Sequence, residues 1–382
     1  MLVGCRVVTP QEIIEDAALG IASGRIVSLG ERTGRERGQI DDLGGLTLLP
    51  GLIDLHIHGA GGADAHAGEI AALAAFLPRC GVTAFLPTLA ADAEERTIAA
   101  LRVIDAAMQD QGPHNGAIVL GAHLEGPFLN PARAGAIPPE RMHPAEPDRL
   151  ARLLAAAPGV VRLMTVAPDA PGVLELIPAI VAAGVVVSLG HTAADYDLFR
   201  RAIDAGARHT THLFNAMTGI AHRAPGAAGA ALTDDRITVE LIADGEHVHP
   251  AILALVLRAK GVAGVALVSD AVGPAGLPPG EYEWLERRVH SDGTTVRLPD
   301  GTLAGSLGTL DRALRTMLAP IPQGAGSNLI DVAQTLATVP ARLLGIDSKG
   351  TLAPGYDADF VAIDGSGQVR RTYIGGEIAF SG

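Results

Sequence analysis

The sequence predicts an α/β protein whose main part is a (β/α)8 barrel, and three observations carry this prediction. After residue 50, short apolar strand patterns alternate with Ala-rich helical patterns. The 382 residues suffice for a barrel of about 250 residues together with a smaller appendage. The composition is 48% hydrophobic but only 3% aromatic, so the core consists mainly of aliphatic side chains, which is typical of buried parallel strands.

Both ends of the chain predict a second, smaller domain. Short β patterns separated by Gly, Pro and charged turns fall at residues 2–8, 17–22, 25–29 and 46–49. A β pattern returns at residues 359–363 and 369–378. We therefore expect a small discontinuous β-sandwich domain from residues 1–49 and 346–382, and a barrel from residues 50–345.

The barrel prediction rests on eight strand patterns with helical patterns around them. The strands are expected near residues 52–58, 83–88, 118–124, 160–166, 185–190, 208–213, 237–243 and 265–269. The helices are expected near residues 69–80, 93–108, 149–156, 172–183, 195–205, 250–260, 308–319 and 331–344. No repeated residue signature accompanies this spacing, so it indicates βα units and not a solenoid.

Charge and cysteine content exclude several classes of function. The net charge of −13 argues against a nucleic acid or an anionic membrane as partner, so any bound phosphate should be small and local. Cys5 and Cys80 fit neither a disulfide framework nor a zinc-thiolate spacing, which indicates a reducing compartment. Gly, Pro or a charge interrupts every apolar window before the length of a membrane span. We expect a cytoplasmic protein.

The first predicted barrel strand ends in two histidines, His56 and His58. Residues i and i+2 of a strand face the same side, so both imidazoles can reach one point at the carboxyl-terminal mouth of the barrel. Taken alone, the pair is equally compatible with two solvent-exposed histidines at a strand end.

Further ligand-type residues close later strands. Glu125 closes the third strand, His191 the fifth, His212 the sixth and Asp270 the eighth. The carboxyl ends of barrel strands meet around one axis, so these side chains and the histidine pair should converge. Nitrogen and carboxylate ligands of this kind suit Zn²⁺ or another first-row divalent ion.

Lysine usage narrows the kind of metal centre. Lys260 and Lys349 are the chain's two lysines, and neither lies at a predicted strand end. A centre bridged by a carbamylated lysine would need one after the fourth strand, near residues 160–166. Glu125 is the obvious carboxylate to take that place.

Six separated motifs extend these strand ends. They are His123-Leu124-Glu125-Gly126-Pro127-Phe128, Gly190-His191-Thr192, Thr211-His212-Leu213-Phe214-Asn215-Ala216-Met217, Ile242-Ala243-Asp244-Gly245 with His247, Ser269-Asp270-Ala271 and Leu303-Ala304-Gly305-Ser306. Through them, and over essentially its full length, the sequence resembles the N-acetylglucosamine-6-phosphate deacetylases, which have barrels of the amidohydrolase type.

The resemblance implies a metal set and a catalytic carboxylate. It assigns Glu125, His191 and His212 to the main metal and Asp270 to catalysis. Members differ at the first strand. Because His56 and His58 are both present, we expect one or two divalent ions per chain, with Glu125 as the bridge. Zn²⁺ is the first choice, with Fe²⁺, Co²⁺, Ni²⁺ or Mn²⁺ as alternatives.

The resemblance also implies substrate contacts and a homodimer. Arg223 matches an arginine that reaches the neighbouring subunit's site to bind phosphate, and His247 matches a sugar-phosphate histidine. The remaining expected substrate contacts are Asn215 and Ala216, through their backbones, together with Ala136, Ile137, Leu303, Ala304 and Gly305.

One position departs from the family pattern. Where the family has a Lys/Arg-Gly-Ala-His run, this chain has Arg133-Ala134-Gly135-Ala136-Ile137, so a histidine donor to the sugar is missing. Its loss is worth about 0.5 to 1.5 kcal/mol or more. His143 could compensate or could simply be solvated, and His123 and His209 are expected in the core or supporting the site. Glu246 has no assigned role.

These expectations imply hydrolysis of N-acetylglucosamine 6-phosphate to glucosamine 6-phosphate and acetate. One alternative is another N-acylated substrate, such as N-acetylgalactosamine 6-phosphate or an N-acyl amino acid. Asn215, Arg223 and His247 favour a phosphate. The other alternative is a barrel that serves as a scaffold without catalysis.

Overall fold

A computed structural model describes residues 1–319 and 328–382. Residues 320–327 fall inside the predicted 50–345 barrel and lie outside the described residues. The first strands are β1 (Leu2–Val8), β2 (Ile13–Ala22), β3 (Arg25–Glu31), β4 (Asp41–Asp42), β5 (Thr47–Pro50), β6 (Leu52–Ile57), β7 (Gly59–Ala60), β8 (Ala63–Asp64), β9 (Val82–Ala90), β10 (Ile118–Val119) and β11 (Ala122–Glu125). The later strands are β12 (Val161–Val166), β13 (Val186–Leu189), β14 (His209–Thr210), β15 (Thr238–Ile242), β16 (Val265–Val268), β17 (Gly280–Trp284), β18 (Arg287–Ser291), β19 (Val296–Arg297), β20 (Phe360–Ile363), β21 (Val369–Ile374) and β22 (Glu377–Ser381).

The helices mostly follow the barrel strands. They are α1 (Ile70–Phe76), α2 (Glu94–Gln109), α3 (Pro147–Ala156), α4 (Val173–Ala182), α5 (Tyr196–Ala205), α6 (Gly226–Thr233), α7 (Pro250–Lys260), α8 (Leu310–Leu318), α9 (Leu329–Ala333) and α10 (Val339–Leu343). A π-helical turn, Gln334–Thr338, joins the last two. Among the described helices, none is both long and apolar enough to cross a membrane.

Parallel strands form the barrel, which confirms the predicted fold. β6, β9, β11, β12, β13, β14, β15 and β16 follow one another as parallel neighbours, and β10 pairs beside β11 on β9. The ring is completed where the Asp270 amide donates to the His56 carbonyl and the His58 amide donates to the Ala271 carbonyl, each at 2.8 Å. This closure brings the ends of the first and last strands side by side.

The chain termini build a separate mixed sheet, as expected. Its order is β22-β21-β20-β5-β1-β2-β3, with β4 on β1. The antiparallel pairing of β20 with β5 joins the two ends of the chain, and a buried cluster that includes Leu19, Leu48 and Phe360 packs on this sheet. The boundaries at residues 49/50 and 345/346 stay predictions.

The structure departs from the predicted elements in several places. β14 covers only two residues of the expected 208–213, because His212 and Phe214 adopt left-handed φ values of 27° and 77° that end the strand. The expected third strand is divided at Gly121, which has φ 137°. Helix α6 and the three-stranded sheet β17-β18-β19 were not predicted.

Candidate active site

The ends of four barrel strands bring the predicted ligand residues together. Glu125 is the last residue of β11, while His191 and His212 each lie two residues beyond the end of β13 and β14. Two groups of side chains have ligand atoms that all lie within 4.8 Å of one another: His56, His58 and Glu125, and Glu125, His191 and His212. All five are buried, and Glu125 is common to both groups.

Glu125 directs one oxygen to both groups. Its Oε1 lies 3.0 Å from His191 Nε2, 3.2 Å from His212 Nε2 and 3.6 Å from His56 Nε2. Its Oε2 lies 3.4 Å from His58 Nε2. Four imidazoles therefore face a single carboxylate, which is the arrangement expected of a shared ligand.

The orientation of the imidazoles fits a metal. His58 Nδ1 donates to the Thr88 carbonyl at 3.2 Å and His191 Nδ1 donates to the Arg133 carbonyl at 2.8 Å. Because a carbonyl only accepts, the neutral form of each ring carries its proton on Nδ1 and directs the lone pair of Nε2 into the site. Such an orienting contact is typical of histidines that bind metals.

The spacing of the nitrogens also fits. His56 and His58 have their Nε2 atoms 3.3 Å apart, and those of His191 and His212 are 3.1 Å apart. Zn²⁺ with bonds near 2.0 Å in tetrahedral geometry holds neighbouring ligand atoms about 3.3 Å apart. When the rings are neutral with their protons on Nδ1, lone pairs that face each other at this distance repel, and a cation between them would remove that repulsion.

Buried carboxylates surround the pair His56 and His58. Burial by itself lowers the pKa of His56, but Asp270, Glu125 and Glu240 outweigh it and raise that pKa to about 10. For His58 the same opposition, with Asp270 and Glu125 as the raising groups, gives a pKa of about 9. The site therefore stabilises positive charge, which a divalent ion supplies.

Asp270 lies beside the histidine pair. Its Oδ1 is 3.3 Å from the Nε2 atoms of both His56 and His58. Burial opposes ionisation, but the neighbouring imidazoles outweigh it and lower the pKa of Asp270. The carboxylate is therefore ionised near neutral pH and can accept a proton.

The backbone is strained at three of these residues. The φ values of His191, His212 and Asp270 are 46°, 27° and 50°, in a region that residues other than glycine rarely occupy. The Gly305 backbone packs closely against Asp270, because a Cβ at Gly305 would lie only 2.8 Å from the Asp270 carbonyl oxygen. Strain of this kind costs about 1–3 kcal/mol per residue and concentrates at functional sites.

A cavity of about 210 Å³ opens over the two groups. Most of the residues expected to contact substrate line it, namely Ala136, Ile137, Asn215, Ala216, His247, Leu303 and Gly305. Ala304 is fully buried behind this lining. Arg223 lies outside, exposed beside a separate depression that Arg133 and Thr218 also line.

His247 is held by an acidic partner. Its Nδ1 donates to Asp244 Oδ2 at 2.8 Å, and the Ser306 hydroxyl donates to the same oxygen at 2.9 Å. Burial lowers the pKa of His247, but the Asp244 carboxylate outweighs it and raises that pKa. A positively charged imidazole is thus favoured at the edge of the cavity, where it suits an anionic group.

The side of the cavity at Ile137 is apolar. Ile137 and Trp284 are 2% and 4% exposed and belong to one hydrophobic cluster, and both line the cavity. The Trp284 ring meets His58 edge to face, with centroids 5.4 Å apart. His143 does not line the cavity, so it does not replace the missing histidine donor.

The other polar residues of uncertain role also find partners. His123 lies in the barrel interior between the Thr88 and Thr165 hydroxyls, at 3.3 and 2.7 Å. His209 Nε2 contacts Glu240 at 3.0 Å, and Glu246 forms an ion pair with Arg312 at 3.6 Å. None of the three lines the cavity.

Sequence reasoning missed three residues of this region. Asp54 and Glu240 are fully buried carboxylates inside largely apolar strands, β6 and β15, and an acidic residue within such a strand was the signal available. Burial raises the pKa of Asp54 to about 7. Trp284 is on a hairpin that carried no recognised signal.

The comparison with known proteins agrees with this geometry. Residues 47–379 match the sequence profile described as the Amidohydrolase family. The chain belongs to the amidohydrolase family. Amidohydrolases depend on divalent metals, in keeping with the two histidine and carboxylate groups.

Relatives of this amidohydrolase match it over nearly the whole chain. N-acetylglucosamine-6-phosphate deacetylase of Bacillus subtilis (strain 168) is 36% identical over 98% of this chain and 95% of its own length. N-acetylgalactosamine-6-phosphate deacetylase of Escherichia coli O157:H7 is 37% identical over 98% of this chain and 97% of its own. The solved structure of a mutant N-acetyl-D-glucosamine-6-phosphate deacetylase from Mycobacterium smegmatis, in complex with N-acetyl-D-glucosamine-6-phosphate, has a TM-score of 0.94 and 34% identity. It covers 100% of this chain and 99% of that one.

Proposed function

We propose that this amidohydrolase hydrolyses the N-acetyl group of N-acetylglucosamine 6-phosphate, giving acetate and glucosamine 6-phosphate. The observation that carries the proposal is one carboxylate, Glu125, facing four imidazoles at the floor of a cavity, with Asp270 beside them. Relatives that cover nearly the whole chain support the choice of an acetylated amino-sugar phosphate.

In this proposal Glu125, His191 and His212 would hold the main ion, and His56 and His58 would hold a second ion, with Glu125 common to both groups. Zn²⁺ fits the nitrogen and carboxylate donors and their spacing. A divalent ion held there would lower the pKa of water toward 7 and would polarise the acetyl carbonyl.

Asp270 handles the protons. An ionised carboxylate at this position accepts a proton from a water molecule while the oxygen of that water forms a bond to the acetyl carbon. Asp270 then delivers that proton to the sugar nitrogen as the carbon–nitrogen bond breaks, so acetate leaves and the amine remains on the sugar. Burial keeps both transfers away from bulk solvent.

The anionic end of the substrate has partners at the cavity edge. His247 offers an imidazole whose charged form is favoured by Asp244, and the loop with Asn215 and Ala216 lines the same cavity. Arg223 is exposed, and its guanidinium has no hydrogen bond or ion pair within residues 1–319 and 328–382. We propose a homodimer in which Arg223 reaches the neighbouring site and completes phosphate binding.

N-acetylgalactosamine 6-phosphate is the second candidate substrate. The wall of Ile137 and Trp284 offers no histidine to a sugar hydroxyl, and its one polar side-chain group is the indole Nε1–H of Trp284, which has no partner among the described residues. A 37% identical relative carries that name. Discrimination between the two epimers should therefore be weak on this side, because a missing hydrogen bond changes specificity by only about 0.5–1.5 kcal/mol.

The test is acetate release from N-acetylglucosamine, N-acetylgalactosamine and N-acetylmannosamine, each with and without 6-phosphate. We expect the 6-phosphates to have the higher kcat/KM, with N-acetylglucosamine 6-phosphate the best substrate. No acetate from any phosphorylated sugar would refute the proposal, and a clear preference for N-acetylgalactosamine 6-phosphate would establish the second candidate.

A further inference from the structure

Glu240 is a fully buried carboxylate in the middle of the barrel strand β15. It does not line the cavity, so the proposed chemistry gives it no role. Within the described residues its charged side chain has no Lys or Arg partner, and its contacts are instead two imidazoles and a backbone amide. A buried carboxylate without a Lys or Arg partner depends on its other contacts to offset the cost of burial, so these contacts require an explanation.

The contacts of Glu240 reach a ligand from each metal group. Its Oε2 accepts from His56 Nδ1 at 3.1 Å and from the His212 backbone amide at 3.0 Å. Its Oε1 accepts from His209 Nε2 at 3.0 Å. His56 belongs to the group with His58, and His212 belongs to the group with His191.

We propose that Glu240 is the positioning residue that couples the two metal sites. The inference rests on the proposed function in that it takes both groups to be metal sites. By holding the proton of His56 on Nδ1, Glu240 directs the Nε2 lone pair toward Glu125 and raises the basicity of the ring as a ligand. By holding the His212 amide, it fixes a residue whose φ is 27° and whose imidazole serves the other ion.

Two substitutions separate charge from hydrogen bonding. In Glu240→Gln, the amide oxygen can occupy the place of Oε2 and keep the His56 and His212 contacts. The amide nitrogen then faces His209, whose Nδ1 has no partner among the described residues, so that ring can change tautomer and accept. Gln therefore removes mainly the charge, whereas Glu240→Leu removes every acceptor.

Metal binding without substrate tests the proposal. Metal-free protein is titrated with Zn²⁺ by calorimetry and with Co²⁺ by visible absorption, and metal content is measured after dialysis. We expect Glu240→Leu to lower the affinity for both ions by about 10- to 100-fold, the usual effect of losing an orienting partner. Glu240→Gln should weaken the second ion by about 10-fold and leave the main ion nearly unchanged.

Thr210→Val is the matched control. Thr210 is buried on the neighbouring strand, and its hydroxyl has no partner within the part of the chain that the structure describes. This variant should bind both ions as the parent protein does. A folded Glu240→Leu protein with parental affinity for both ions would overturn the proposal.

If the Leu variant does not fold, the Gln variant decides, and an unchanged second ion with an unchanged cobalt spectrum would be the contrary result. The metal titrations contain no sugar, so they do not depend on the identity of the substrate. If the parent protein binds two ions but releases no acetate in the separate substrate assay, the proposed function is refuted and the role of Glu240 is not.

Discussion

Asp270 differs from Glu125 in where it stands among the ligands. It lies 3.3 Å from both histidines of the first strand, but in neither of the two groups whose donor atoms all lie close together. We therefore expect Asp270→Asn to keep the shape of the site and the main ion while losing the proton acceptor. Turnover should fall by about 10² to 10⁴. Measuring kcat and metal content on one preparation decides this: near-normal kcat would exclude the proton role, and a metal-free protein would make Asp270 a ligand first.

Glu125 and His56 should differ in what their loss does to metal content. Glu125→Ala removes the carboxylate common to both groups, so tight binding of either ion should disappear. His56→Ala removes one ligand of the second group and should leave the main ion in place. Elemental analysis after dialysis gives the two stoichiometries, and an equal loss in both variants would contradict the ranking.

At the residue scale, the sequence indicated the candidate ligands better than the buried residues that contact them. These candidates could be found because each lies at the end of a strand or within two residues beyond it, and they are His56, His58, Glu125, His191 and His212. Glu240 and Asp54 lie within strands, and a single sequence does not indicate which buried carboxylate touches which imidazole. The apolar wall at Ile137 was half predicted, since the missing histidine was visible but Trp284 was not.

The hairpin β17-β18 is the element that most changes the picture of the cavity. Leu285 and Glu286 form its two-residue turn with φ values of 49° and 61°, which suits the twist of a tight hairpin. Glu286 binds Arg96 at 2.7 Å and also Arg141, which tie the turn to the barrel side. The hairpin is thereby held with Trp284 against the cavity.

Trp284→Ala should therefore affect both stability and substrate binding. The buried indole belongs to a packed cluster, and its removal should cost about 3–5 kcal/mol of unfolding free energy. KM should rise more than kcat falls, because the wall shapes the cavity but does not transfer protons. Denaturant unfolding and steady-state kinetics measure both effects. Glu283→Ala, an exposed neighbour on the same strand, is the control and should stay within about 0.5 kcal/mol. Unchanged KM in Trp284→Ala would exclude the wall role.

The elements themselves were predictable where periodicity is strong. All eight barrel strands follow apolar runs, and the pairing of the two chain ends followed from their shared β pattern. Helix α6, Gly226–Thr233, is Gly- and Ala-rich and almost wholly buried, so it carries no amphipathic period to recognise. The predicted strand at 208–213 was longer than β14. The left-handed backbone that follows β14 belongs to the candidate site, and the local sequence pattern does not indicate it.

At the scale of the whole molecule, the proposed role of Arg223 depends on a second subunit. Arg223→Ala should raise KM for the phosphorylated sugar, because a charge-assisted contact to phosphate contributes about 1.5–3 kcal/mol. Slow turnover of the unphosphorylated sugar should hardly change, so the selectivity ratio should collapse. Kinetics on both sugars, together with the mass of the parent protein by light scattering, measure this. If kcat/KM falls equally for both sugars, or if the parent protein is a monomer, Arg223 does not bind the phosphate of a neighbouring subunit's substrate.

The central claim is that the residues at these strand ends bind a divalent metal and that the protein then deacetylates an amino-sugar phosphate. One measurement tests it directly. Metal-free protein is titrated with Zn²⁺ while acetate release from N-acetylglucosamine 6-phosphate is followed. The account predicts no turnover without metal, and a rise that stops at one or two equivalents per chain. Full activity in the metal-free protein, or no activity at any metal content with Zn²⁺ or the alternative divalent ions, would contradict it.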